Sequence, residues 1–66
     1  MNKHTDALVS ISQTVLRFRG GTTDNLTSEM VEATVNECEP LVGGCYGDRL
    51  AAIVEICRRY DLKAQP

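Results

Sequence analysis

Three cysteines and one histidine are the side chains with the widest chemical reach in this 66-residue sequence. Cys38, Cys45 and Cys57 together with His4 make four potential zinc ligands. A structural zinc site usually takes two of its ligands from one tight loop, two to four residues apart. Here the spacing is C-x6-C-x11-C, so no metal site is expected. Nucleophilic catalysis by a thiol needs a base within hydrogen-bond reach and a third group to orient that base. The only candidate base is His4, close to the chain start, so no catalytic set is expected. An odd number of widely spaced cysteines does not form a secreted disulfide framework. They are expected to be reduced and to act as small apolar side chains. Cys38 and Cys45 flank a Pro and two glycines and could approach each other, but a bond between them would need an oxidising compartment.

The other candidate chemistries have simpler readings. Glu29, Glu32, Glu37 and Glu39 fit a solvated helix face. Acid–base work would also need a cleft, which a chain this small has little room to build. The stretch Gly43-Gly44-Cys45-Tyr46-Gly47-Asp48 is glycine-rich and opens a helix, as phosphate loops do. It lacks a following Lys-Ser or Lys-Thr, and Asp48 would set a negative charge where the phosphate belongs. The glycines are read as ending one helix and turning the chain into the next. Arg17, Arg19, Arg58, Arg59 and Lys63 form the one basic concentration. All fall at helix C-termini, where cations oppose the helix dipole. The alternative use of these five is a patch for an acidic protein or DNA phosphates.

Three helices must position these residues. Leu8, Ile11, Val15 and Phe18 recur three, four and three apart, the spacing of one helix face. That predicts a helix over about 5–19, capped by Thr5 or Asp6 and stopped by Gly20-Gly21. After the polar turn 22–25, Thr27 caps a second helix, and Leu26 can pack on Val31 as a hydrophobic staple. Its stripe is Val31, Val35 and Cys38, with Met30 and Thr34 alongside. Pro40 lacks an amide hydrogen and pushes Glu39 out of helical geometry, so the regular helix is expected to end near 38–39, with Leu41 and Val42 able to add one more apolar turn before Gly43-Gly44. Asp48 caps the third helix, over about 48–61, with Leu50, Ile53, Cys57 and Tyr60 on its apolar face. The tail 64–66 should fray.

The expected fold is all-α: one domain over residues 1–66, forming a small three-helix bundle or a helical hairpin with an extra helix. A chain of this size buries only about 60 % of its unfolded surface and so has a marginal core. The apolar stripes also look too wide for one bundle to cover, which points to a homodimer. The surface assigned to the partner or second copy is Leu8, Ile11, Val15, Phe18, Ile53, Ile56 and Tyr60. The formal net charge of −2 argues against general nucleic-acid binding. No apolar run is long enough to span a membrane. No signal-peptide core follows Met1-Asn2-Lys3-His4, so a cytoplasmic location is expected.

Asp48-Arg49-Leu50 followed by Glu55-Ile56-Cys57-Arg58-Arg59-Tyr60 resembles the last helix of the small enterobacterial biofilm and acid-resistance regulators of the YmgB/AriR family. The layout before it is also similar: an aliphatic helix from Leu8 to Leu16, a glycine and polar turn at 20–25, then a second amphipathic helix. The likeness spans about Ala7 to Tyr60, and Glu55-Ile56 and Arg59-Tyr60 are its distinctive pairs. Pro40, Gly43-Gly44 and the three cysteines depart from the pattern. The resemblance implies an all-helical dimer in biofilm or stress-response regulation, a connector for two-component signalling that contacts another regulatory protein. The functional expectation is therefore a non-catalytic regulator without cofactor, acting by protein–protein binding. The alternatives are a DNA-associated transcriptional modulator, or a phage- or plasmid-type inhibitor of a host protein.

Overall fold

The computed structural model describes residues 2–22, 24–43 and 45–62. It shows three helices: α1 (Lys3–Phe18), α2 (Ser28–Val42) and α3 (Tyr46–Arg59). Every pair of helices is in contact, and no strand occurs among the described residues. The protein is thus an all-α three-helix bundle. Thr5 hydrogen-bonds Asp48 and Gln13 hydrogen-bonds Arg59, so α1 and α3 run in the same direction, with their N-termini together at one end.

The core is aliphatic, as the scarcity of aromatics requires. Leu8, Val31, Val35, Ala52 and Ile56 have no exposed surface, and Cys38 and Cys57 are buried among them as small apolar side chains. The accessible surface is 4252 Å² for a mass of 7.3 kDa. A folded monomer of that mass exposes about 4200 Å². The single chain therefore buries as much of itself as a self-sufficient monomer does. By total area the bundle is ordinary, while part of the wide α3 stripe, Leu50 and Val54, stays about half exposed.

The helix ends explain where expected and observed boundaries part. Asn2, not Thr5 or Asp6, caps α1: its side chain accepts from the Thr5 amide at 2.8 Å. At the other end Gly20 takes φ +81°, its amide donates to Arg17, and the Gly21 amide donates to Leu16 at 2.8 Å. That is the Schellman closure, and it bears out Gly20-Gly21 as the stop. A Cβ on Gly21 would lie 2.9 Å from the Leu16 carbonyl oxygen, so only glycine fits there without displacing backbone.

Thr27 caps α2, accepting from the Met30 amide, and Leu26 and Val31 are both buried in the core. The helix then passes through Pro40 to Val42, which corrects the expected end at 38–39. Pro40 removes one bond to the carbonyl of Asn36. Both residues are exposed, so water can satisfy that carbonyl. Continuing one turn packs Val42 against the core before Gly43, at φ +84°, ends the helix.

α3 starts at Tyr46, two residues before the expected cap. Cys45 is the N-cap residue and Asp48 lies inside the first turn. α3 closes like α1: the Asp61 amide donates to Arg58 and the Leu62 amide to Cys57, with Asp61 at φ 56° in the glycine role. Leu62 folds back onto the core. Lys63 and the tail 64–66, expected to fray, lie outside the described residues.

Candidate interaction surface

Asp48 shows how the N-terminal end of the bundle is assembled. It is buried, and one carboxylate oxygen accepts from Asn2 Nδ2 and from Thr5 Oγ1, both at 2.9 Å. The other oxygen accepts from the Cys45 amide at 2.9 Å. The Cys45 amide bond, then the Asn2 and Thr5 side chains, hold this carboxyl far below the ordinary aspartate range. Asp48 thereby joins the N-termini of α1 and α3, whose positive dipole ends both favour its charge. The anion that a glycine-rich helix start would otherwise attract is supplied by the chain itself.

The side chains assigned to the partner surface divide three ways. Leu8 and Ile56 are completely buried, so they are withdrawn from any interface: they are the bundle's own core. Ile11, Val15, Ile53 and Tyr60 are half-buried and pack against that core. Only Phe18, 91 % exposed, stands out in solvent. The reason for the misplacement is specific. The apolar spacing of α1 marks Leu8, Ile11 and Val15. The observed buried line instead runs Thr5, Val9, Ser12, Leu16, with Leu8 beside it. This is the same spacing moved by one residue, about 100° around the helix. On α3 the buried line is Asp48, Ala52, Ile56 and Cys57, again turned relative to Leu50, Ile53 and Tyr60. Small residues, Ser12 and Ala52, occupy the innermost positions of α1 and α3, where close helix approach favours them.

The turn of α3 exposes Leu50, which the periodicity had set on the apolar face, together with Tyr46 and Val54. Tyr46, Leu50 and Val54 are 64, 45 and 54 % exposed and lie four residues apart along one line of α3. Half-buried Ile53 borders them. The Arg49 guanidinium lies over the Tyr46 ring, 4.5 Å from its centroid, a cation–π contact. Leu41, at the end of α2, is 73 % exposed.

The charged groups are distributed unevenly. α2 contains Glu29, Glu32, Glu37 and Glu39 and no Lys or Arg. Glu29 and Glu32 line a shallow open depression with Ala33 and Asn36. On α3, Glu55 accepts from Arg58 and from Arg59, each at 2.7 Å, and those guanidiniums hold its carboxyl below the usual range. Arg59 also donates to Gln13 of α1 at 2.9 Å. Arg19 pairs with Glu37 at 2.7 Å, and Arg17 is exposed. The parallel course of α1 and α3 brings Arg17, Arg19, Arg58 and Arg59 to one end of the bundle. Three of these four are ion-paired to carboxylates, which reduces what remains for phosphate. The fifth member of the expected basic patch, Lys63, lies outside the described residues.

The thiols and His4 do not converge. Cys38 and Cys57 are buried while Cys45 and His4 are exposed, and burial pushes the Cys57 thiol pKa up. Among the described residues no three His, Cys, Asp or Glu side chains are grouped to hold a metal ion. Nor is any helix long and apolar enough to cross a membrane. The distinctive sequence pairs have structural uses: Glu55 pairs with Arg59, which donates to Gln13 of α1, Ile56 is core and Tyr60 packs against it. No protein-family description, curated protein or solved structure matches this chain.

Proposed function

We propose that this protein is a small non-catalytic regulator that acts in the cytoplasm by binding another protein. The observation that carries the reading is the line Tyr46, Leu50, Val54 on α3. Three large apolar side chains stand about half exposed on one helix of a bundle whose total surface is otherwise ordinary for its mass. Scattered exposed apolar residues are common, but several in line on one element mark an interaction site. The use of Cys38 and Cys57 as core side chains suits a reducing compartment. The connector role implied by the YmgB/AriR resemblance rests on a likeness over about Ala7 to Tyr60, with its distinctive pairs on α3, and concerns pathway rather than mechanism. Affinity capture with the intact chain from its native cells, with mass spectrometry and a parallel sedimentation measurement, tests the reading. It predicts a specific protein partner or a second copy. A strict monomer at high concentration that captures nothing contradicts it.

The gathering of Arg17, Arg19, Arg58 and Arg59 at one end of the bundle favours a second reading, as a DNA-associated modulator. A salt-dependent mobility shift lost in Arg58→Ala/Arg59→Ala supports it, and no shift at low salt removes it.

A further inference from the structure

We infer that the outward side of α3 docks one amphipathic helix of another protein, with acidic flanks, whose apolar stripe seats on Tyr46, Leu50 and Val54. This rests on the protein-binding reading above and names the surface and the chemistry of its partner. Side chains at i, i+4 and i+8 form a slanting ridge about 12 Å long that turns about 40° around the helix at each step, which suits a partner helix with anchors at the same spacing packed at a crossing angle.

Charge selects the acidic flank. Both carboxylates of α3 are already taken: Asp48 is buried against three donors, and Glu55 is shared by two guanidiniums. The cations stay outward, with Arg49 over the Tyr46 ring and the Arg58 side chain 70 % exposed. Arg58 and Arg59 share the one carboxylate of Glu55, and Arg49 pairs with the Tyr46 ring instead of a carboxylate, so α3 carries a surplus of positive charge beside the apolar line. A partner helix with glutamates beside its apolar stripe would neutralise it, whereas one with lysines would be repelled.

Area and composition argue against a second copy as the occupant. A stable dimer takes roughly 20–30 residues from each side, far more than one line of side chains supplies. The acidic helix that a second copy could offer is α2, whose one large exposed apolar side chain is Leu41. That gives one anchor where α3 presents three.

The test uses the full chain, ¹⁵N-labelled, titrated with a synthetic amphipathic helix of leucines flanked by glutamates and with the same peptide carrying lysines instead. The glutamate peptide should shift amides over residues 46–58, and the lysine peptide should bind about tenfold more weakly. Leu50→Asp and, separately, Val54→Asp should abolish the shifts while keeping the helical spectrum and a cooperative melt. Both positions are exposed, so the fold should tolerate them. The proposal is overturned by absence of binding, by equal affinity for both peptides, or by shifts confined to α1 or α2. It is also overturned if sedimentation shows a dimer with α3 already covered. A captured cellular protein that protects α1 or α2 instead of α3 would end this assignment and leave the binding reading standing. Capture of nothing would end both.

Discussion

Ser12 has no exposed surface, and its hydroxyl has no hydrogen-bond partner among the described residues. A hydroxyl taken out of water without a partner costs about 1–3 kcal/mol. Ser12→Ala removes that cost and leaves the space for α1 against its neighbours almost unchanged. It also gains about 0.5 kcal/mol of helix propensity. Ser10 supplies the control, because it lies in the same helix and is exposed. Ser10→Ala gains only the propensity. Ser12→Ala should therefore exceed Ser10→Ala by about 1 kcal/mol or more. For a domain of this size each kcal/mol moves Tm by about 4–8 °C. Thermal melts followed by circular dichroism, with urea titrations to confirm an unchanged m-value, separate the two variants. If Ser12→Ala is no more stabilising than Ser10→Ala, the hydroxyl has a partner and the reasoning fails.

Core and surface should separate sharply in alanine variants measured by urea titration. Leu8→Ala, at full burial, should cost about 2–5 kcal/mol, while Phe18→Ala at 91 % exposure should stay within about 0.5 kcal/mol. Asp48 carries an acid dependence. Its folded pKa lies below the unfolded value, so its stabilisation is complete above about pH 4 and is lost as pH falls from there toward the depressed folded pKa. Melts from pH 7 to pH 3 should show a shallower acid loss in Asp48→Asn than in the wild-type chain; equal slopes would show that Asp48 does not carry it. In the native protein an aromatic disulfide reagent should modify Cys45 quickly. Cys38 and Cys57 should react only on unfolding, so three fast thiols would contradict their burial.

Helix number and order were legible because the apolar residues repeat at helical spacing and strong stop signals separate them. Gly20-Gly21 closes α1 by the expected hydrogen bonds, and Thr27 caps α2 as its position suggests. What periodicity could not show was which of two adjacent lines faces inward. On α1 the buried line contains Thr5 and Ser12, polar residues that a hydrophobic count passes over. Thr5 is buried because Asp48, 43 residues further along the chain, accepts its hydroxyl. Such a partner is not visible within either helix. A similar turn of α3 leaves Leu50, expected on the apolar face, about half exposed beside Val54 as the candidate surface. One signal was available: Cys45 stands three residues before Asp48, the spacing at which an acid in the first turn reaches back to the N-cap amide. Reading it would have started α3 two residues earlier. The run through Pro40 was hidden for another reason. The penalty for a helical proline assumes that the carbonyl it leaves unpaired is dry, and here Asn36 and Pro40 are both exposed, so water can reach it.

The central claim is that the chain works through the exposed line of α3. A photo-crosslinking amino acid placed at position 54, and for comparison at position 18, tests it directly in cells expressing the intact chain. The account predicts a discrete adduct with a different protein from position 54, lost when Leu50→Asp is added, and little from position 18. Adducts only from position 18 would contradict it, and adducts from position 54 only to a second copy of the chain would contradict the partner assigned to this surface.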